Sequence, residues 1–147
     1  MDLKDKIVEL LPYKKPFLFV DGFNHVDDSS ISGYYTFKED ESFYPGHFPE
    51  NPITPGVILT ETAAQIGLVG GGIYQLLKQE KKEEVIPVFS SAEVNFLKPV
   101  FPNEKVIVES KVIYFRFSKL KCEVVMTNEK GEKVLNGHLS GFLTEKK

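Results

Sequence analysis

The chain has 147 residues, 41% of them hydrophobic and 27% charged, which suits one domain over residues 1–147 with a core of its own. Net charge is −3 and the only arginine is Arg116, so the basic face that nucleic-acid binding requires is absent. The single cysteine, Cys122, excludes an internal disulfide and fits a reducing, cytoplasmic setting.

Residues 2–11 read as a short amphipathic helix with Leu3, Ile7, Val8 and Leu11 inward, ended by Pro12. So charged an opening is not a signal peptide. Phe17–Val26 reads as a strand, Asp27–Ser30 as a turn, and Ile31–Phe37 as a second strand. The loop over 43–54 carries His47 and is stiffened by Pro45, Pro49 and Pro52, because each ring fixes φ. Thr54 has the hydroxyl to cap a helix starting there, and Pro55 suits its first position. Gly56 leaves the first-turn amides unscreened, where a helix end favours negative charge.

From Val57 to Lys78 the chain is apolar almost all round, which predicts a helix buried on every side. Its length would also suit a membrane span, but Glu61, Gln65, Thr60, Thr62 and the run Gly70–Gly72 favour a buried soluble helix. Each interior glycine costs about 1 kcal/mol against alanine. With Gly67, these glycines therefore mark close approach by a sheet or a partner helix. Glu61 and Gln65 lie four apart and share a face. A carboxylate in apolar surroundings is paired or protonated, and this one reads as a general acid.

Lys78–Glu84 is a charged exit, followed by strands at Val85–Phe96, Lys105–Phe117, Lys119–Thr127 and Lys133–Thr144. Leu120, Cys122, Val124 and Met126 alternate with polar residues, so Cys122 reads as packing rather than as a reactive thiol. Asn128–Gly131 is a hairpin turn. Antiparallel strands around one buried helix predict an α+β layer architecture. His25, His47 and His138 have no metal-ligand spacing, and no dinucleotide fingerprint or serine elbow is present. His25 and His138 read as strand decoration. The chemistry left to the chain is His47, Glu61 and a helix N-terminus.

Gly46-His47-Phe48-Pro49, Asn51-Pro52, Pro55-Gly56-Val57, Glu61 and Ala64-Gln65 together resemble the central motif of the FabZ-type (3R)-hydroxyacyl-[acyl-carrier-protein] dehydratases, a hot-dog fold family. Leu11-Pro12 with Pro16–Asp21, and Phe96–Val100, are similar to two further segments of that family. The resemblance implies an antiparallel sheet wrapped around one long central helix, and dehydration of a 3-hydroxyacyl thioester without metal or organic cofactor. It implies His47 and Glu61 as the acid–base pair, Gly56 and Val57 as oxyanion donors, and Phe48, Pro55 and Gln65 in support. It implies as partners an acyl carrier protein bearing the substrate and a second copy of the chain, with each site taking His47 from one subunit and Glu61 from the other. Such dimers often assemble into hexamers. Neither membrane nor nucleic acid enters. Lys14, Lys15, Lys98 and Arg116 are candidates for a basic landing patch for the carrier. Tyr13, Gly22, Thr54 and the polar Thr60-Glu61-Thr62 depart from the family's usual residues, which bears on substrate range and leaves room for a specialised lipid such as a polyene. Two other readings stay open: a hot-dog acyl thioesterase in which Glu61 activates water or attacks the thioester, and a non-catalytic acyl-binding subunit paired with an active sibling.

Overall fold

The structure, a computed structural model, describes residues 2–79 and 85–145; most of the exit segment 78–84 lies outside them. Helix α1 (Leu3–Leu10) starts where the Asp2 carboxylate accepts from the Asp5 amide at 3.0 Å, and ends before Pro12. It docks through Ile7 and Leu11, both buried, while Leu3 is 41% exposed. The inward stripe is thus shorter than its spacing predicts, because only the later turn of α1 meets β1 and the long helix.

Six strands, β1 (Gly22–Val26), β2 (Ser30–Thr36), β3 (Val85–Phe96), β4 (Lys105–Arg116), β5 (Lys119–Asn128) and β6 (Lys133–Glu145), form one antiparallel sheet in the order β1-β2-β4-β5-β6-β3. The alternation in β5 is realised: Leu120, Cys122, Val124 and Met126 are all buried. Gly131 closes the β5–β6 hairpin at φ +80, donating to the Asn128 carbonyl at 3.0 Å.

The predicted strand over Phe17–Val26 is shorter, beginning at Gly22. The reason is the buried Gln65, whose amide takes the backbone of the preceding stretch. Its Oε1 accepts from the Phe19 amide at 2.8 Å, and its Nε2 donates to the Phe17 carbonyl at 2.9 Å. One side chain replaces a strand neighbour there. Phe19 then packs edge-on against Tyr35 and Phe43 in the core.

The sheet curves around α2 (Gly56–Lys78), which passes through a π-helical segment at Ala64–Val69. This is the hot-dog arrangement. Although α2 is long and apolar enough to cross a membrane by composition alone, most of it is buried within the fold. The close approach that the glycines signal is with the sheet: a Cβ on Gly67 would sit 2.8 Å from the Ser110 Cβ on β4 and 3.1 Å from Val124 on β5. The expectation of burial on every side fails at the N-terminal turn, where Val57 is 75% exposed.

Candidate active site

Glu61 lies in the second turn of α2, and its position is fixed from Gln65. The Gln65 carbonyl is committed to the Phe19 amide, so its NH₂ group faces the Phe17 carbonyl and Glu61 Oε2, which it meets at 2.8 Å. Burial pushes the Glu61 carboxyl above its ordinary range, and the Gln65 N–H partly offsets this. Glu61 and Tyr13 line a cavity of about 200 Å³ whose other walls are apolar, Phe17, Leu68, Val88, Phe89, Leu120 and Phe142 among them. The site therefore offers a carboxyl whose pKa burial raises, beside room for an alkyl chain.

His47 follows a 3₁₀ turn at Tyr44–Gly46 and is tied twice to Ile53. Its backbone carbonyl accepts from the Ile53 amide at 3.0 Å, and its Nδ1 lies 2.9 Å from the Ile53 carbonyl. A carbonyl only accepts, so Nδ1 carries the hydrogen and the neutral ring keeps its lone pair on Nε2. Phe48 stacks on the imidazole at 4.4 Å between centroids and is 53% exposed.

The helix start departs from the expected cap. Thr54 is buried, its hydroxyl pairs with Tyr44 Oη at 2.6 Å, and its amide donates to the Val100 carbonyl at 2.8 Å. It thus anchors the loop rather than capping the helix, because its hydroxyl is spent on Tyr44. Pro55 occupies the N-cap position and Gly56 is the first helical residue. The Pro55 carbonyl takes the amides of Ile58 and Leu59, and those of Gly56 and Val57 find no acceptor among the described residues. A Cβ on Gly56 would lie 3.1 Å from the Phe96 ring, so the bare helix end fits closely against β3.

Glu61 and Gln65 are joined directly, and Pro55, Gly56 and Val57 form the helix start as one unit. His47 is not brought to Glu61: among the described residues it does not line the Glu61 cavity. Of the other sequence candidates, His25 is exposed and bonds Asp27 at 2.7 Å, and His138 is exposed on β6. Cys122 is buried, and desolvation pushes its thiol up to about 11. Lys98 pairs with Glu132, and Arg116 stacks on Tyr114 4.5 Å from the ring centroid. Sequence reasoning missed the place of Tyr13 on the Glu61 cavity; its one signal is that Tyr13 departs from the family's residue.

A hot-dog sheet around a helix that bears a half-buried carboxyl of raised pKa beside an apolar cavity defines an acyl-thioester class of fold and site. Within that class the chain belongs to the FabA-like family, whose domain model matches residues 11–140. It is 36% identical over 137 residues to the 3-hydroxyacyl-[acyl-carrier-protein] dehydratase FabZ of Caldicellulosiruptor bescii, covering 92% of this chain and 94% of that one. It is 33% identical over 142 residues to the FabZ dehydratase of Bacillus licheniformis, covering 96% and 95%. Among solved structures, the dehydratase heterocomplex ApeI:P of Xenorhabdus doucetiae superposes with a TM-score of 0.82 at 13% identity, over 99% of this chain and 94% of that one. A hypothetical thioesterase of Streptococcus pneumoniae superposes at 0.59 with 16% identity, over 85% and 86%. These two likenesses speak to the fold.

Proposed function

We propose that the chain is a single-domain, cytoplasmic enzyme that dehydrates a (3R)-hydroxyacyl-[acyl-carrier-protein] thioester to the trans-2-enoyl thioester in fatty-acid or related lipid synthesis. The observation that carries this reading is Glu61: a carboxyl whose pKa burial raises, held by Gln65 at the edge of an apolar cavity. Family membership and the FabZ relatives agree with it.

In this reading His47 Nε2 removes the C2 proton. Charge flows to the thioester oxygen, where the Gly56 and Val57 amides meet it as preorganised donors. Protonated Glu61 gives its proton to the C3 hydroxyl, the C–O bond breaks, and water leaves as the C2–C3 double bond forms. His47 ends as imidazolium and Glu61 as carboxylate, so a proton must pass back to Glu61 before the next turnover. The apolar lining around Phe89 and Phe142 receives the acyl chain.

The working unit in this reading is a homodimer with His47 and Glu61 in trans. Two observations support it. His47 stays off its own chain's Glu61 cavity, and β3 is an edge strand bonded only to β6 with Ile86, Val88, Phe89 and Phe96 exposed along it. The exposed Val57 at the helix start is a further surface for a second copy to cover. Incubation with a (3R)-hydroxyacyl carrier-protein thioester, read by mass spectrometry, tests the function. Loss of water is expected; release of free carrier thiol would make the chain a thioesterase, and an unchanged substrate would make it a binding subunit.

A further inference from the structure

Among the described residues, the lining of the Glu61 cavity has two polar side chains, Glu61 and Tyr13. Tyr13 lies on the stretch between α1 and the turn closed by the Phe17 amide on the Lys14 carbonyl at 2.8 Å. That stretch leads into Phe17–Phe19, which Gln65 holds through the carbonyl and the NH₂ of its one side-chain amide. One buried glutamine therefore sets the place of the carboxyl and braces the backbone that delivers the phenol. Glu61 Oε2 is taken by Gln65, while the Tyr13 hydroxyl has no hydrogen-bond partner among the described residues. A carboxyl and a phenol thus face one apolar space with no hydrogen bond between them. Burial, with the Glu61 charge adding to it, pushes the Tyr13 pKa up, so the phenol keeps its hydrogen.

An alcohol oxygen has two lone pairs and can accept from both groups at once. We propose that Tyr13 is a positioning and specificity-determining residue whose O–H donates to the C3 hydroxyl oxygen of the substrate, while Glu61 addresses the same oxygen with the proton it delivers. Tyr13 then selects hydroxylated acyl chains and turns the departing oxygen toward the acid. This rests on the dehydratase reading above. A site built to bond a substrate hydroxyl discriminates against a chain that lacks it, because its own polar group is then left unpaired in a dry cavity.

The test uses the Glu61→Gln protein, whose turnover should be slow on the timescale of a titration, and two probes: a (3R)-hydroxyacyl thioester of N-acetylcysteamine and the saturated acyl thioester of equal length. Calorimetric titration should show tighter binding of the hydroxylated probe. Adding Tyr13→Phe should weaken that probe alone by about tenfold, the size of one hydrogen bond, and erase the preference. The proposal is overturned if the preference survives Tyr13→Phe, if the Glu61→Gln protein shows none, or if both probes weaken equally, which marks a packing defect. Wild-type protein given the same hydroxyacyl probe separates the two levels. Enoyl product with an unchanged preference removes Tyr13 alone, and no enoyl product removes the dehydratase reading with it.

Discussion

The two halves of the site are built in opposite ways. On the acid side, Glu61 is held by a buried glutamine that also bonds two backbone groups 46 and 48 residues away in sequence, Phe19 and Phe17. On the base side, His47 sits in a half-exposed loop, tied to Ile53 and stacked against the exposed Phe48. The proposed acid needs surroundings that raise its pKa, and burial within one chain supplies them. The proposed base needs its Nε2 free to meet a substrate, and among the described residues Nε2 has no hydrogen-bond partner. In the reading proposed above, one chain supplies the acid half and a second copy brings the base half to it.

Breaking either half at its reactive group has the largest effect. His47→Ala and Glu61→Gln should each lower kcat by about 10²–10⁴, as is usual for positioned acid–base groups, with the fold retained by circular dichroism. Gln65→Leu should damage the acid half alone. It frees Glu61 Oε2 and leaves the Phe19 amide and Phe17 carbonyl unpaired, costing about 1–3 kcal/mol for each buried group in chemical denaturation, with a fall in kcat. Gly67→Leu should cost about 1–3 kcal/mol by pressing α2 away from Ser110 and Val124. Unlike Gln65→Leu, it should leave the pH profile of the residual activity in place. Gly56→Val should act on the base half: its side chain meets Phe96 and crowds the helix amides, lowering turnover in a protein that still folds.

The smallest effect sharpens the acid half by its sign. Burial raises the Glu61 pKa, so the folded chain binds that proton more tightly than the unfolded chain. The stability this contributes is complete below the ordinary carboxylate range and is lost as pH rises through the raised folded value. Glu61→Gln should therefore raise the melting temperature at neutral pH and leave it unchanged in acid. A rise of equal size at both would mean that Glu61 carries no such shift.

Much of this architecture is legible in the sequence. Alternation from Leu120 to Met126 marks β5 because each second residue points into a one-sided core. Glycines at 67, 70 and 72 mark a close approach, since a Cβ at each would come within 3.0 Å of a neighbouring side chain, whereas Gly71 has only ordinary contact. The misreadings share a cause: a bond to a residue far along the chain. Phe17–Phe19 looks like a strand, and its backbone is indeed bonded, but to the Gln65 side chain. Thr54 looks like a cap, but Tyr44 takes its hydroxyl. Apolarity from Val57 onward announces burial without saying which surface will do the burying, and this chain leaves Val57 uncovered. Tyr13 could be flagged only as a departure, because its meeting with Glu61 depends on the path of the segment that Gln65 holds.

The central claim is that two half-sites from two chains make one. It is tested most directly by refolding His47→Ala and Glu61→Gln protein together in equal amounts and assaying dehydration. In a two-fold dimer with sites in trans, one site of each mixed dimer collects both lesions and the other pairs native His47 with native Glu61. Random pairing makes about half of the dimers mixed, so about a quarter of wild-type activity should return from two inactive proteins. If the mixture stays as inactive as its components, each site takes both residues from one chain and the account is wrong.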